Sequence, residues 1–327
     1  MNYIVLDLEW NQCPTGKAHE IKALPFEIIE IGAVRVNEAH QVTGQFREIV
    51  KPQVYTSLHF RTREIVALRA IDFAGARRFP EVAADFFDWC RGDEASEAAP
   101  GEPEFCTWGP ADLTEFQWNL SYYNIKSPFP FPLIYFDIQK IFSIVYEDRR
   151  SRRSLEYAID FLEIQKTVAF HSALSDAIYT SLIMQRLEDS QIRDNSSVDY
   201  FRTPVSRKEE IYLHYSTYDK FISKLFVSRN QAMKDPVVTS TRCPLCQKAA
   251  QKKIRWFSAG GHNQFCLAWC PHHGYIKGKI RLRLNADNMT YAVKTLKPIL
   301  EEEANQIYEK KQAVKVKRQN HRNTETG

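Results

Sequence analysis

The chain has 327 residues, of which 44% are hydrophobic, and this composition predicts one or two globular domains with a sizeable core. We expect no membrane span, because no window approaches the roughly 18 apolar residues that a spanning helix needs. We also expect no signal peptide, because the first residues hold no basic stretch leading into an apolar run.

The net charge of +4 is unevenly divided along the chain. Residues 1–204 carry 21 Lys+Arg against 30 Asp+Glu, a net −9, whereas residues 205–327 carry 23 against 10, a net +13. This asymmetry indicates two modules, of which the basic one is a candidate for holding a polyanion. A basic surface kept for solubility is the alternative.

Strands and then helices are predicted for the first module. An apolar run at 3–8 is typical of a buried strand, and further strands are predicted at 26–36, 46–50 and 105–108. Helical spacing marks residues 81–91, 111–123, 137–146, 154–161 and 173–187. Three strands followed by strand–helix alternation predict an α/β fold, in which helices pack on a mixed sheet.

Acidic side chains lie in or beside these core elements, where an unpaired charge is costly. Asp7 and Glu9 share one face of the first strand, because side chains alternate along a strand. Asp112 lies where the fourth strand meets the next helix, and Asp176 falls in the first turn of a later helix, with Ser172 as the predicted N-cap. Crowded carboxylates repel unless a cation lies between them, and four oxygen donors suit two Mg²⁺ or Mn²⁺ ions.

His171 lies on a loop just before the helix of Asp176. A histidine that titrates near neutral pH can take the proton from an attacking water. Two metal ions about 4 Å apart stabilise the attacking and leaving oxygens of a phosphoryl displacement. A D-x-E pair alone is usually a solvated strand face, but the ordered set of four carboxylates and a histidine predicts a nuclease.

These motifs resemble those of the DEDDh 3′–5′ exonucleases, which have a ribonuclease H-like fold. The group includes proofreading subunits of DNA polymerases, ribonuclease T and oligoribonuclease. Over residues 1–190, the resemblance is carried by LDLE at 6–9, EIIEIGAV at 27–34, Asp112, and HSALSDA at 171–177.

The resemblance implies a role for each motif residue. The metal ligands would be Asp7, Glu9, Asp112 and Asp176, and the general base would be His171. It also implies that the enzyme acts on the 3′ ends of single-stranded RNA or DNA and releases nucleoside 5′-monophosphates.

Two segments depart from the family pattern. Trp10 follows Glu9 where the family often has small residues that line the pocket for the terminal nucleotide; it could stack on a base or pack against the sheet. Trp108-Gly109-Pro110 precede Asp112 where the family often has Asn. This second departure is similar to the branch of KapD-type proteins and eukaryotic exonucleases that trim RNA 3′ ends, so RNA is favoured over DNA. The alternatives are a DNA repair or proofreading exonuclease and a non-catalytic RNA-binding adaptor on a nuclease fold.

The second module contains two short metal-binding motifs. The predicted ligands of one structural Zn²⁺ are Cys243, Cys246, Cys270 and His273, in an arrangement that resembles a zinc ribbon. Cys266 and His272 are competing ligands, and free thiols in a small core are the alternative without metal. Seven cysteines, four of them clustered, indicate a metal site in a reducing compartment, so we expect a cytoplasmic protein.

A strictly alternating segment follows the second motif. Its cations share one face of a predicted strand and suit a phosphate backbone: Lys277, Lys279, Arg281 and Arg283. An ordinary exposed face is the alternative. Helical spacing over 211–225 predicts a helix, and a second helix is predicted after Met289. From Lys310 the chain is rich in Lys and Arg, and this part is expected to fray into a disordered end.

These features predict four segments. Residues 1–190 would form the exonuclease domain and 191–206 a linker. Residues 207–300 would form a helix and a zinc-ribbon-like module that binds nucleic acid, and 301–327 a basic, partly disordered tail. The sequence indicates no particular protein partner.

Overall fold

The computed structural model describes residues 3–66, 68–92, 103–258, 260–261 and 263–325. The chain divides into two compact units, Met1–Phe201 and Arg202–Gly327. Among the described residues, no helix combines the length and the apolar character needed to cross a membrane.

The N-terminal unit is built from six strands and seven helices within its described residues. In chain order these are β1 (Tyr3–Gln12), β2 (Phe26–Val36), β3 (Val42–Ile49), α1 (Phe60–Ile65), α2 (Phe79–Arg91), β4 (Glu104–Thr107), α3 (Ala111–Tyr122), β5 (Ile134–Asp137), α4 (Ile138–Tyr146), α5 (Leu155–Phe161), α6 (Ala173–Met184), α7 (Asp189–Arg193) and β6 (Ser197–Val198).

These strands form one mixed sheet in the order β3-β2-β1-β4-β5-β6. Strand β1 is antiparallel to β2 and parallel to β4, and β4 is parallel to β5. The helices flank this sheet. The architecture confirms the predicted ribonuclease H-like α/β fold.

Strand β1 is apolar on both sides because helices cover both faces of the sheet. Ile4 and Leu6 pack with residues of α2 and α3, such as Phe86. Tyr3 and Val5 point the other way and pack with residues of α4, α5 and α6. Burying each large apolar side chain contributes roughly 1.5–3 kcal/mol. The two hydrophobic clusters therefore fix β1 between the helices, and Asp7 and Glu9 share the face of Tyr3 and Val5.

Helix α6 packs closely on the sheet at Gly32 of β2. A Cβ added to Gly32 would lie 2.1 Å from the Ala173 carbonyl carbon and 2.1 Å from the Leu174 nitrogen. Gly32 is also the cross-strand partner of Asp7. The missing side chain at this position therefore brings the first turn of α6 beside Asp7.

The C-terminal unit has a second sheet. Its described elements are β7 (Ile211–His214), β8 (Asp219–Ile222), α8 (Arg229–Lys234), α9 (Pro236–Thr239), β9 (Gln251–Ser258), β10 (Asn263–Cys270), β11 (Gly274–Leu284), β12 (Thr290–Pro298) and α10 (Glu301–Glu325). The strands lie in the order β7-β8-β12-β11-β10-β9, and each pairs antiparallel with its neighbour. The predicted β-rich C-terminal domain is present.

Three segments differ from the sequence expectations. The helix predicted over 211–225 is wrong, because β7 and β8 form a hairpin there. Its turn is closed by a 2.9 Å hydrogen bond from the Tyr215 N–H to the Tyr218 carbonyl, and Tyr212 pairs with Phe221 across it. The helix expected after Met289 is instead strand β12. A single helix, α10, follows it and includes the residues from Lys310 that were expected to fray.

The N-terminal unit extends past residue 190, into the predicted linker. Helix α7 and strand β6 belong to it, and β6 pairs with β5. The buried Asp199 carboxylate accepts hydrogen bonds of 2.8 Å from Thr114 Oγ1 and 2.8 Å from Gln117 Nε2, both on α3. These contacts hold the segment up to Phe201 on the first unit.

Candidate active site

Three of the predicted carboxylates converge beside β1. Asp7, Glu9 and Asp176 each offer an oxygen, and these oxygens all lie within 4.8 Å of one another. The first two come from one face of β1, and Asp176 comes from the first turn of α6. The β1–β2 register shifts between Glu9 and Trp10, directly after the pair. Such irregularities commonly re-aim side chains next to active sites.

The fourth carboxylate, Asp112, is held against the backbone of the same strand. It lies in the first turn of α3, and its Oδ1 accepts a 3.2 Å hydrogen bond from the Leu8 N–H, between Asp7 and Glu9. Its side chain is buried. The parallel β1–β4 pairing explains this placement, because the carboxyl ends of both strands lie at one edge of the sheet.

The four carboxylates perturb one another. Burial, followed by the charges of Asp112 and Asp176, raises the pKa of Asp7 well above its ordinary value. Burial also raises the pKa of Glu9 to about 8, of Asp112 to about 7 and of Asp176 to about 6. A cation among these oxygens would favour their ionised forms. Hard carboxylate oxygens are the ligands that Mg²⁺ and Mn²⁺ prefer, so the donor set fits such ions.

His171 lies in the segment that leads into α6. Its side chain is exposed, its φ is 67°, and its backbone N–H donates to Asp176 Oδ1 at 3.4 Å. The preceding loop is fixed by Tyr179, whose hydroxyl donates to the Val168 carbonyl at 2.6 Å and whose ring stacks on Phe170 at 4.5 Å. A left-handed conformation in a non-glycine residue costs roughly 1–3 kcal/mol and is common at functional sites. The loop therefore holds His171 next to the carboxylates with its imidazole open to water.

Glu30 of β2 is a site residue that sequence reasoning missed. It is fully buried directly opposite Glu9 in the β1–β2 register. Its carboxylate accepts hydrogen bonds from Ser172 Oγ at 3.1 Å, from the Ala173 N–H at 3.3 Å and from Arg47 Nε at 2.6 Å. Ser172 occupies the predicted N-cap position, but its side chain caps no backbone N–H of α6. Glu30 takes that role from across the sheet. The signal available in the sequence was a charged residue inside the apolar run FEIIEIGAV.

The comparisons with known proteins identify the family. The RNase T exonuclease family model matches residues 4–184, which is more than half of the chain. The chain belongs to this exonuclease family. The resemblance to DEDDh exonucleases is thereby confirmed, and the protein is an exonuclease enzyme.

Several solved structures resemble the exonuclease. One is the nuclease domain of 3′hExo, a DEDDh family member, bound to rAMP (TM-score 0.48, 21% identity, 57% of this chain and 90% of that one). Another is the cell-death related nuclease CRN-4 (TM-score 0.47, 19% identity, 64% and 73%). A third is Pop2p of S. pombe in a Mg²⁺- and Mn²⁺-bound form (TM-score 0.43, 14% identity, 58% and 87%). In amino-acid sequence, no curated protein matches the chain.

Trp10 and Asn11 follow Glu9 at positions where the exonuclease departs from the small residues that are common in its family. Trp10 is half-buried, packs against the hydrophobic core, and has its ring 5.7 Å from that of Phe26. Asn11 is buried; its Nδ2 donates to the carbonyls of Tyr55 at 2.8 Å and Ser57 at 2.9 Å. The position of Trp10 favours packing over base stacking, and Asn11 anchors the neighbouring loop.

The second unit of the exonuclease brings the four predicted zinc ligands together. Ligand atoms of Cys243, Cys246, Cys270 and His273 all lie within 4.8 Å of one another. The Cys243 Sγ is 3.4 Å and the Cys270 Sγ 3.7 Å from His273 Nδ1. Burial opposes ionisation of Cys270, but hydrogen bonds from the His272 backbone and from His273 lower its pKa to about 6. A thiolate is the form in which cysteine binds metal.

The competing zinc ligands lie outside this group. Cys266 is buried on β10, and its Sγ lies 2.4 Å from where a Cβ on Gly278 would be, so it packs against β11. Burial raises the pKa of Cys266 to about 12, which keeps the thiol protonated. His272 is exposed and does not join the group.

The basic residues of β11 alternate as predicted. Lys277, Lys279, Arg281 and Arg283 share one face, and Ile276, Ile280 and Leu282 on the other face are buried. Lys277 pairs with Glu303 of α10 at 2.5 Å, whereas Arg281 is exposed. The pairing with Glu303 reduces the charge that Lys277 presents to a ligand.

Proposed function

We propose that the protein is a metal-dependent 3′–5′ exonuclease that removes nucleotides from single-stranded nucleic acid, with RNA favoured over DNA, and releases nucleoside 5′-monophosphates. The observation that carries the proposal is the convergence of Asp7, Glu9 and Asp176, whose oxygens lie within 4.8 Å of one another, with Asp112 anchored to the Leu8 backbone between the first two. Three half-buried carboxylates and one buried carboxylate so close together repel one another unless a cation neutralises them.

The carboxylates would hold two Mg²⁺ or Mn²⁺ ions. When bound, such ions stabilise the attacking and leaving oxygens of an in-line phosphoryl displacement. Asp112 would supply a carboxylate that is held against β1, because its Oδ1 accepts a hydrogen bond from the Leu8 N–H. Gly32 has no side chain, so the turn that carries Asp176 can approach Asp7.

His171 would be the general base. Its imidazole is exposed, so water can reach it. Its backbone bond to Asp176 holds the base and one metal ligand in a single turn. The imidazole would take a proton from the attacking water as the phosphodiester is cleaved.

The preference for RNA rests on the Trp108-Gly109-Pro110 segment before Asp112, which is similar to the branch of KapD-type proteins and eukaryotic exonucleases that trim RNA 3′ ends. A DNA repair or proofreading exonuclease is the competing function. The free thiols of Cys13, Cys90 and Cys106 support a place in a reducing compartment, which we propose is the cytoplasm.

The experiment that tests this function is a time course on 5′-labelled single-stranded RNA and DNA of one sequence. It is run with Mg²⁺, with Mn²⁺ and without divalent metal, beside Asp7→Ala. We expect a ladder that shortens from the 3′ end, faster for RNA, and is lost without metal and in the variant. A ladder that shortens equally in Asp7→Ala would refute the site, and no shortening under any metal would refute metal-dependent cleavage of single strands from the 3′ end.

We further propose that the second unit holds one structural zinc and contacts the nucleic-acid backbone. A site with four protein ligands has no open position, so this zinc would not be catalytic. The support is the Cys243–Cys246–Cys270–His273 group and the net +13 of residues 205–327. Elemental mass spectrometry should find about one zinc per chain. Cys246→Ser should lower this content, and Cys266→Ser should keep it.

A further inference from the structure

A cavity of about 460 Å³ lies in the C-terminal unit, on the sheet face opposite the basic residues of β11. Tyr212, Phe221 and Lys294 form its floor as one cross-strand row over β7, β8 and β12. Its walls come from α9 and from the segment that carries the first two zinc ligands, which supplies Arg242 and Gln247. Cavities of roughly 300–1,000 Å³ are the size that binds small ligands.

A buried positive charge forms part of the floor. Lys294 is 5% exposed, and its Nζ donates to the carbonyls of Val237 at 2.8 Å and Ser240 at 3.1 Å and to Ser240 Oγ at 3.0 Å. It also lies 4.9 Å from the centre of the Phe221 ring. Burial lowers its pKa to about 8, so it stays charged at neutral pH. The charge of Glu210 acts on Lys294, but within the described part of the chain no carboxylate forms an ion pair with it, so an anion in the cavity would further offset the cost of burying it.

The rim of the cavity adds a second cation and an open aromatic face. Arg242 is exposed and has no acidic partner among residues whose positions are described. Tyr212 is 64% exposed, and its ring lies 4.7 Å from that of Phe221. Among the described residues that line the cavity, Asp219 supplies a carboxylate, which contacts His214 Nδ1 at 2.5 Å and accepts from Gln247 Nε2 at 3.1 Å. The charges of Glu210 and Asp235 also act on Tyr212, and those of Arg207 and Arg242 oppose them.

Gln247 connects the cavity to the cysteine cluster. It follows Cys246 with a φ of 56°, and its Nε2 contacts Asp219, His214 and the Pro244 carbonyl. The conformation of the metal-binding loop therefore sets the position of one wall.

We propose that this cavity binds one nucleotide of a single-stranded nucleic acid, with the base on Tyr212 and the phosphate toward Arg242 and Lys294. An aromatic platform beside cations holds single strands with little sequence preference. The proposal rests on the proposed function only in taking nucleic acid as the substrate. The cavity lies on the other face of the sheet from Lys279 and Arg281, so it is a separate site.

The test is photo-cross-linking of the full-length chain, carrying Asp7→Ala to stop cleavage, to an oligouridine that contains 5-iodouridine. Mass spectrometry then locates the attachment. We expect the cross-link at Tyr212. Cross-links confined to the β11 face, to the N-terminal unit, or absent altogether would overturn the proposal, and this readout requires no substitution in the cavity.

Affinity for a fluorescent oligouridine provides the second measurement. Tyr212→Ala should weaken binding by about 5- to 150-fold, the range expected from losing one stacked base, and Arg242→Ala should weaken it as well. Matched controls in the same unit but outside the cavity, Tyr308→Ala and Arg255→Ala, should bind like the parent. Unchanged affinity in both cavity variants would contradict the proposal.

The two proposals fail separately. A cross-link at Tyr212 in a protein that shortens neither RNA nor DNA would uphold the nucleotide site and refute the exonuclease. Cleavage from the 3′ end, together with parental affinity in both Tyr212→Ala and Arg242→Ala, would uphold the exonuclease and refute the nucleotide site. Zinc content and thermal unfolding of each variant show that a loss of affinity is local.

Discussion

Glu30 of β2 accepts a 3.1 Å hydrogen bond from the Ser172 hydroxyl, across 142 residues of sequence. The same carboxylate receives the Ala173 N–H and pairs with Arg47 of β3. A buried glutamate on the sheet therefore holds the N-terminal turn of α6, which carries Asp176 and directly follows His171. Negative charge near a helix N-terminus is stabilising, so this contact also favours the helix itself.

Glu30→Gln should loosen that turn while leaving all five motif residues in place. We expect the unfolding free energy to fall by roughly 1–3 kcal/mol, because the charged partner of Arg47 is lost inside the protein. The turnover rate should fall by about 10- to 100-fold, since small misplacements of reacting groups are costly. Urea unfolding and single-turnover cleavage measure the two effects. The control is Glu48→Gln, because Glu48 is half-exposed and pairs with Arg77. It should change neither the unfolding free energy nor the turnover rate.

Gly32→Ala tests the close approach of α6 to β2. The new Cβ would meet backbone atoms of Ala173 and Leu174 at 2.1 Å, so the helix must shift. Overpacking of this kind costs roughly 1–3 kcal/mol, and activity should fall with stability because Asp176 moves with the helix. Gly44→Ala on neighbouring β3 is the matched control, since its nearest contact would be an ordinary 3.6 Å. Equal stability and activity in the two variants would contradict the packing argument.

The carboxylates should make stability depend on pH and on metal. Burial raises the pKa of Glu9 to about 8, of Asp112 to about 7 and of Asp176 to about 6 in the folded protein. A folded acid with a raised pKa binds more protons than the unfolded chain, so its contribution is fully present below pH 4 and is lost as pH rises toward 8. Without divalent metal, thermal unfolding should therefore occur at lower temperature at pH 8 than at pH 6. Added Mg²⁺ should reverse most of that loss, and a metal-independent profile would contradict the predicted site.

Asp7→Ala should abolish cleavage and yet stabilise the metal-free protein at pH 8. Removal of the most crowded carboxylate relieves repulsion on Glu9, Asp112 and Asp176, whose charges all raise the pKa of Asp7. Thermal unfolding with and without Mg²⁺ measures the stability, and the labelled-RNA time course measures the activity. Asp88→Ala, at an exposed position on α2, should leave both unchanged. A variant that is both inactive and unfolded at pH 8 would count against the repulsion argument.

The basic face of β11 predicts a salt dependence that differs between neighbouring lysines. Removing Lys279 and Arg281 together should reduce the slope of log affinity against log salt by about 1.4 on a single strand, if both contact phosphates. Lys277→Ala should reduce it less, because Lys277 is paired with Glu303. Fluorescence anisotropy at several salt concentrations gives the slopes. A parental slope in the double variant would remove this face from the nucleic-acid interface.

The sequence was informative about the catalytic motifs because each lies in a short local pattern. LDLE places two carboxylates on one side of a strand, and HSALSDA places a histidine and an aspartate around the start of a helix. Glu30 was missed because its role depends on a pairing between strands and on a helix far along the chain. The 211–225 helix was predicted wrongly because aromatic residues spaced three or four apart also fit two short strands joined by the Tyr215–Tyr218 turn.

The docking of α6 on Gly32 has a consequence for when the enzyme can first act. Asp7, Glu9 and Asp112 are synthesised well before His171 and Asp176, and α6 ends at Met184. A nascent chain that has not yet released this helix from the ribosome lacks His171, Asp176 and the partner of Glu30 in their folded positions. Ribosome-bound chains stalled before Met184 are therefore expected to have no nuclease activity.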